Sequence, residues 1–184
     1  MSLRRLHTVT PAEQQALAAV LLDCVEGGAS VGFMSPLSPG QALAFWQRMA
    51  QGVADGERAL LVAEDETGIV GTVQLVLAQP DNQPHRADLS KMLVLRRARR
   101  HGWGARLMRA AEDLAREGGK TLLVLDTASA EAERLYQRQG WVRCGEIPGF
   151  ALLPQGGLCA TVLYYREILP PRPDCLPATR PQTP

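Results

Sequence analysis

Val94-Leu95-Arg96-Arg97-Ala98-Arg99-Arg100-His101-Gly102-Trp103-Gly104-Ala105-Arg106-Leu107-Met108 decides how this chain folds. An apolar strand segment, Lys91-Met92-Leu93-Val94-Leu95, runs into a basic turn with two glycines. The turn opens into an amphipathic helix with Leu107, Ala111, Leu114 and Ala115 on one face, stopped by Gly118-Gly119. Such a junction directs several backbone N–H groups and the positive end of a helix dipole at one point, which makes it an anion site. Gly102 and Gly104 leave the backbone open to an anion, and the arginines add charge-assisted hydrogen bonds. A pyrophosphate suits it best.

Working outward, the spacing predicts a first strand at Leu3–Val9 and a helix opened by Thr10-Pro11-Ala12-Glu13 and closed at Gly27-Gly28. A glycine- and proline-marked loop follows, Ala29 to Leu37, and Ser38-Pro39 starts a second helix with Leu43, Trp46, Met49 and Ala50 inward. Arg58–Glu64 and Ile69–Leu77 flank Asp65-Glu66-Thr67-Gly68, a hairpin signal. Ala87–Leu95 precedes the basic turn, Thr121–Leu125 is a buried strand closed by Asp126, and Ala130–Gln139 is a short helix. Trp141–Glu146 and Thr161–Ile168 are the last strands, separated by loops at Pro148-Gly149-Phe150 and Pro154-Gln155-Gly156-Gly157. This order implies a mixed sheet with helices on both faces.

The composition narrows the class. An apolar content of 46% with 21% charged residues suits a soluble globular domain. A net charge of +1 argues against a general nucleic-acid or membrane-surface binder, and no apolar run is long enough for a membrane span or a secretory signal. Cys24, Cys144, Cys159 and Cys175 form no C-x-x-C pair, and His7, His85 and His101 are scattered, so a reduced cytoplasmic protein without a metal site is expected. Three of the cysteines lie in apolar segments and Cys175 in the tail. From Leu169 onward the chain is proline-rich and apolar-poor, so the domain is placed at residues 1–168 and a disordered tail at 169–184.

Two common phosphate loops are excluded. The dinucleotide fingerprint fails because position 107 is Leu, and no Walker-type loop is present. What fits is Arg99-Arg100-His101-Gly102-Trp103-Gly104, which resembles the signature of the GNAT N-acetyltransferase superfamily: Arg or Gln, two free positions, Gly, a free position, Gly or Ala. Ala132-Glu133-Arg134-Leu135-Tyr136-Gln137-Arg138-Gln139-Gly140-Trp141 resembles the same family's later helix. Arg143-Cys144-Gly145-Glu146-Ile147-Pro148-Gly149-Phe150, with Tyr164-Tyr165, is similar to one branch, the tabtoxin-resistance acetyltransferases. The resemblance spans residues 26 to 168. It implies a single α/β domain of GNAT type, a mostly antiparallel twisted sheet of about seven strands with helices on both faces.

The resemblance implies acetyl-CoA as co-substrate. Cofactor contacts are expected at Met92, Leu93 and Val94 of the strand, at Arg99, Arg100, His101, Gly102, Trp103, Gly104 and Ala105 of the turn, and at Ser129 and Ala132. Arg96 and Arg97 either reach an outer phosphate or face water. Acetyl transfer to an amine needs a deprotonated nitrogen, a polarised carbonyl, a neutralised thiolate and close reactants. By its motif position Tyr136 is the expected proton donor to sulfur; the alternative is a tyrosine packed with its hydroxyl bonded. Asp126 either takes or holds the amine's proton or caps the next helix, a task Ser129 also suits. Val31, Phe33, Leu37, Trp46 and Phe150 are the apolar candidates for the acceptor site, with plain core packing the alternative for each, and Glu146 is left between an acceptor contact and a surface residue.

The expected activity is transfer of acetyl from acetyl-CoA to a primary amine of a small molecule, with an antimicrobial or amino-acid-like acceptor implied by the branch. The protein would be a monomer or homodimer, with no nucleic-acid or membrane partner. The alternative is a catalytically silent acyl-CoA-binding or regulatory domain. Truncation after Leu169 is expected to leave melting temperature and coenzyme A affinity unchanged; a drop of several degrees would show that the tail packs on the domain or on a partner.

Overall fold

The computed structural model describes residues 2–168, so the expected tail at 169–184 lies outside the described residues. The chain runs β1 (Ser2–Leu6), α1 (Pro11–Glu26), α2 (Pro39–Ala54), β2 (Arg58–Asp65), β3 (Gly68–Val76), β4 (Arg86–Val94), a 3-10 turn (Arg96–Ala98), α3 (Trp103–Glu117), β5 (Leu122–Thr127), α4 (Ala130–Arg138), β6 (Val142–Leu152) and β7 (Leu158–Glu167). Seven strands form one sheet in the order β1-β2-β3-β4-β5-β7-β6. Every pairing is antiparallel except β4 with β5. This is the α/β architecture expected from the sequence.

Both front helices start on capping boxes. Thr10 accepts from the Glu13 amide and Glu13 reaches back to the Thr10 amide; Ser38 and Gln41 do the same. The period-2 alternation of β2 separates two cores. Leu60 and Val62 turn toward α1 and α2, where Leu17, Leu21, Phe45 and Trp46 are buried. Ala59, Leu61 and Ala63 turn toward α3 and α4, where Leu107, Met108 and Tyr136 are buried. A strand buried on both faces reads as a continuous apolar run, as Ala59-Leu60-Leu61-Val62-Ala63 does.

The last hairpin departs from the sequence expectation. Pro148-Gly149-Phe150 is strand rather than loop: β6 continues to Leu152, and β7 begins at Leu158. Strand β6 lies at the sheet edge, with register shifts between Arg143 and Gly145 and between Ile147 and Ala151. Proline lacks a ladder donor, and an edge position beside a bulge is where a strand tolerates it. The edge also explains why Cys144, expected among apolar neighbours, is exposed. Among the described residues no helix is long and apolar enough to cross a membrane, and no cluster of three or more metal-ligating side chains occurs.

Gly71 lets β3 pass close to β4. A Cβ there would lie 2.9 Å from the Leu93 carbonyl oxygen and 3.3 Å from both Leu107 Cδ1 and Val94 Cγ2. The obstructing oxygen is backbone and cannot rotate away. Gly71→Ala is therefore expected to cost about 1–3 kcal/mol, read as a fall of several degrees in melting temperature. Unchanged melting would show that β4 shifts freely.

Candidate active site

The site begins where two parallel strands separate. Strands β4 and β5 pair only over Arg86–Asp88 with Leu122–Val124, yet they continue to Val94 and Thr127. Beyond Asp88 and Val124 they no longer share a ladder. The sheet opens there into a cleft of about 940 Å³ lined by β4, β5, the basic turn, α3 and α4. Strand β4 is irregular at the same level: its register against β3 shifts between Thr72 and Gln74, and Lys91 has φ 49. A lysine in the left-handed region is an uncommon backbone state that the surrounding structure must enforce.

The basic turn closes one end of the cleft. Arg100 (φ 64) and Gly102 (φ 80) both take left-handed conformations, so the chain reverses and enters α3 at Trp103. No side chain caps α3, and its first internal bond runs from the Arg106 amide to the Gly102 carbonyl at 3.1 Å. The amides of the first turn thus keep their donors for an external anion. Met92, Leu93, Val94, Arg99, Arg100, Gly102, Trp103, Gly104, Ala105, Ser129 and Ala132 all border the cleft. His101 does not; it is exposed, and its Nδ1 lies 3.3 Å from the Ala98 carbonyl. The cleft's size and these open amides fit a coenzyme A pyrophosphate with its pantetheine arm.

The four arginines divide by position. Arg99 is half-buried and donates from Nε to the Val94 carbonyl at 3.2 Å, which ties the turn to the strand. Arg100 is exposed at the rim. Arg96 and Arg97 hold acidic side chains instead: Arg96 pairs with Asp23 at 2.9 Å and Glu26 at 2.8 Å, and Arg97 pairs with Asp65 at 2.8 Å and donates to Thr67. The Arg97 guanidinium holds the Asp65 carboxyl well below the usual carboxylate range.

Tyr136 lies deeper. Its ring packs against Trp141 and Tyr164, with centroids 6.1 and 5.8 Å away. Trp141 is fixed in turn by donating from Nε1 to the buried Glu112 at 2.8 Å. Tyr164 has a satisfied hydroxyl, donating to Glu133 at 2.8 Å and accepting from Gln137 at 3.0 Å. The Tyr136 hydroxyl has no hydrogen-bond partner among the described residues and borders the cleft. Burial pushes its phenol above the ordinary value, and the Asp126 charge acts in the same direction. The group therefore keeps its proton at neutral pH and can donate it.

Asp126 does not cap α4. Ser129 does, accepting from the Ala132 amide at 3.3 Å, while Thr127 Oγ1 accepts from the Ser129 amide at 3.1 Å. The exposed Asp126 carboxylate borders the cleft and accepts a hydrogen bond from Thr161 at 2.8 Å. The apolar acceptor candidates split. Val31 and Phe150 border the cleft. Trp46 is wholly buried in the α1–α2 core, Phe33 packs edge-on against Phe45 at 5.3 Å, and Leu37 packs on the same core. Periodicity marks a residue as apolar but not whether a core or a cleft takes it. Glu146 is an exposed strand residue paired with Arg143 at 2.6 Å. Lys91, a strand residue by sequence pattern, borders the cleft. Its one signal is a charge amid apolar neighbours. Burial and the nearby Arg58 charge lower its basicity, and Asp126 opposes them.

Known proteins resemble this chain in sequence and in fold. Residues 29–141 match the family model described as Acetyltransferase (GNAT) family. An uncharacterised N-acetyltransferase of the hisH-hisA intergenic region of Azospirillum brasilense is 30% identical over 149 residues, covering 80% of this chain and 83% of the relative. The crystal structure of ribosomal-protein-alanine N-acetyltransferase from Brucella melitensis superposes with a TM-score of 0.77 at 24% identity, covering 91% of this chain and 99% of the other. A GNAT superfamily phosphinothricin acetyltransferase from Sinorhizobium meliloti, solved in complex with AcCoA, superposes with a TM-score of 0.75 at 17% identity, covering 96% and 98%. At these identities the two structures speak to fold alone.

A Cβ on Gly104 would lie 2.9 Å from Leu135 Cδ2 and 3.3 Å from Met92 Cε, where α3, α4 and β4 meet at the cleft. Gly104→Glu adds bulk and negative charge there. Its coenzyme A affinity is expected to fall by a factor of roughly 10 or more, the effect of about 1.4 kcal/mol or above. Parent-like affinity by calorimetry would place the cofactor elsewhere.

Proposed function

The chain belongs to the GNAT acetyltransferase family, and on that premise we propose that it transfers an acetyl group from acetyl-CoA to a primary amine of a small molecule. The observation that carries this reading is Tyr136: a buried phenol whose hydroxyl lacks a protein partner, in the cleft that the uncapped end of α3 closes. Bound acetyl-CoA supplies the acetyl thioester. The open amides of Trp103, Gly104 and Ala105, with Arg100 at the rim, hold its pyrophosphate. The separated edges of β4 and β5 take the arm that reaches the reaction centre.

Asp126 receives the acceptor's ammonium and takes its proton, directly or through water, which frees the nitrogen lone pair for attack. The carbon–nitrogen bond forms as the carbon–sulfur bond breaks, Tyr136 gives its proton to the departing sulfur, and the acylated nitrogen loses its second proton to solvent to leave the neutral amide. The Tyr136 phenolate is then reprotonated by solvent, and Asp126 loses its proton to it. The tyrosine's raised pKa suits a donor that must not ionise before the thiolate forms.

Two supports bear on the acceptor. The 143–150 segment is similar to the tabtoxin-resistance branch, and the Sinorhizobium protein is a phosphinothricin acetyltransferase. Both support a small amine of antimicrobial or amino-acid-like kind as the acceptor. The Brucella protein's name points to a protein N-terminus, so an acceptor panel should include a peptide.

Tyr136→Phe keeps the ring and its packing against Trp141 and Tyr164 but removes the proton. General acid catalysis contributes about 10² to 10⁴-fold, so kcat is expected to fall on the order of 100-fold with coenzyme A affinity unchanged. Full activity, with chemistry shown to limit turnover, would shift the proton source to solvent. A parent protein that binds acetyl-CoA but releases no thiol with any amine would mark a silent acyl-CoA-binding domain.

A further inference from the structure

Lys91 has no task in the chemistry above, yet the fold places it with care. It occupies the bulge of β4 at φ 49 and borders the cleft. Its ammonium stands 5.7 Å from the centroid of the Phe45 ring. Among the described residues it makes neither an ion pair nor a hydrogen bond. Arg58 is close enough for its charge to be felt at Lys91, and the buried Arg58 Nε and Gln74 Nε2 both lack partners. Of these groups only Lys91 borders the cleft, so the positive charge on this side of it is the lysine's.

Asp126 borders the same cleft from β5, fixed by Thr161 at 2.8 Å. One positive and one negative group thus serve a single cleft from two strands that have parted. A plain amine satisfies Asp126 and leaves Lys91 unpaired. A peptide N-terminus does the same, because its α-carboxyl is an amide. A free amino acid satisfies both.

Resting on the acetyl-transfer reading, we infer that Lys91 determines acceptor specificity: the acceptor is a free α-amino acid or close analogue, its carboxylate paired with Lys91 and its amine presented to Asp126. The Phe45 ring holds the ammonium in place, and the bulge turns it out of the strand's ordinary alternation. Recognition of the carboxylate is a charge-assisted hydrogen bond, which is strong where water is partly excluded.

The test uses matched pairs: L-leucine with isoamylamine, L-phenylalanine with phenethylamine, L-methionine with its decarboxylated amine, and each amino acid's amide. The full-length protein is assayed for thiol release from acetyl-CoA, and binding of each compound is measured by calorimetry with and without coenzyme A. The parent is expected to prefer at least one amino acid over its amine and amide by roughly 10- to 100-fold in kcat/KM or affinity. Lys91→Met should bring that ratio near one, and Lys91→Arg should restore part of it, which a merely structural lysine would not do. Equal use of acids and amines by the parent, retained preference in Lys91→Met, or no binding of any amino acid would overturn the assignment. If amino acids bind in a Lys91-dependent way but no thiol is released, the acetyl-transfer reading fails and the carboxylate site stands.

Discussion

The separation of β4 from β5 is the constraint on which the rest of this structure depends. Two parallel strands share three paired positions and then part, although both chains continue. Parallel strands need a crossover connection, and here α3 provides it. The turn that begins the crossover must therefore lie at the open end of the gap. That places an uncapped helix terminus, with its free amides, beside strand edges whose donors and acceptors are also unshared. Unpaired backbone groups would be costly if sealed in a core. At the mouth of a cleft they stay open to solvent or to a ligand.

The second tier of the site is aromatic. Tyr136, Trp141 and Tyr164 pack together on the α3–α4 side of the sheet, and Glu112 fixes the indole by accepting its N–H. Two tyrosines in contact have different fates. Tyr164 spends its hydroxyl on Glu133 and Gln137, whereas the Tyr136 hydroxyl meets the cleft. Burial raises the pKa of both. Only the one without partners is free to exchange a proton with a ligand.

Charge is handled in the same economical way. Of the four arginines around the turn, Arg96 and Arg97 pin it to α1 and to the β2–β3 hairpin through Asp23, Glu26 and Asp65. Pairs this exposed contribute little to stability, but they fix where the turn sits. Arg99 binds a strand carbonyl, and Arg100 remains at the rim. A basic run that reads as uniform in sequence is thus mostly scaffold.

By itself the sequence determined the element order, the placing of helices on both faces of the sheet and the strand–glycine–helix junction. These follow from short-range physics: capping boxes at Thr10 and Ser38, glycine stops, alternation along strands, and a strand–glycine–helix junction all act within a few residues of one another. It also carried Tyr136 and Asp126 as candidates by motif and by position at a strand end. The tertiary structure alone decided which polar groups remained free. Ser129 took the helix cap that Asp126 was equally suited to fill, and Thr161, far away in sequence, claimed one Asp126 oxygen. Trp46 and Phe33 went to a core rather than to the cleft, because which neighbour covers an apolar face depends on packing between distant elements. The edge position of β6 made Pro148-Gly149-Phe150 strand instead of loop, and the bulge in β4 turned Lys91 toward the cleft. Each of these outcomes depends on long-range register and burial, which local pattern does not encode.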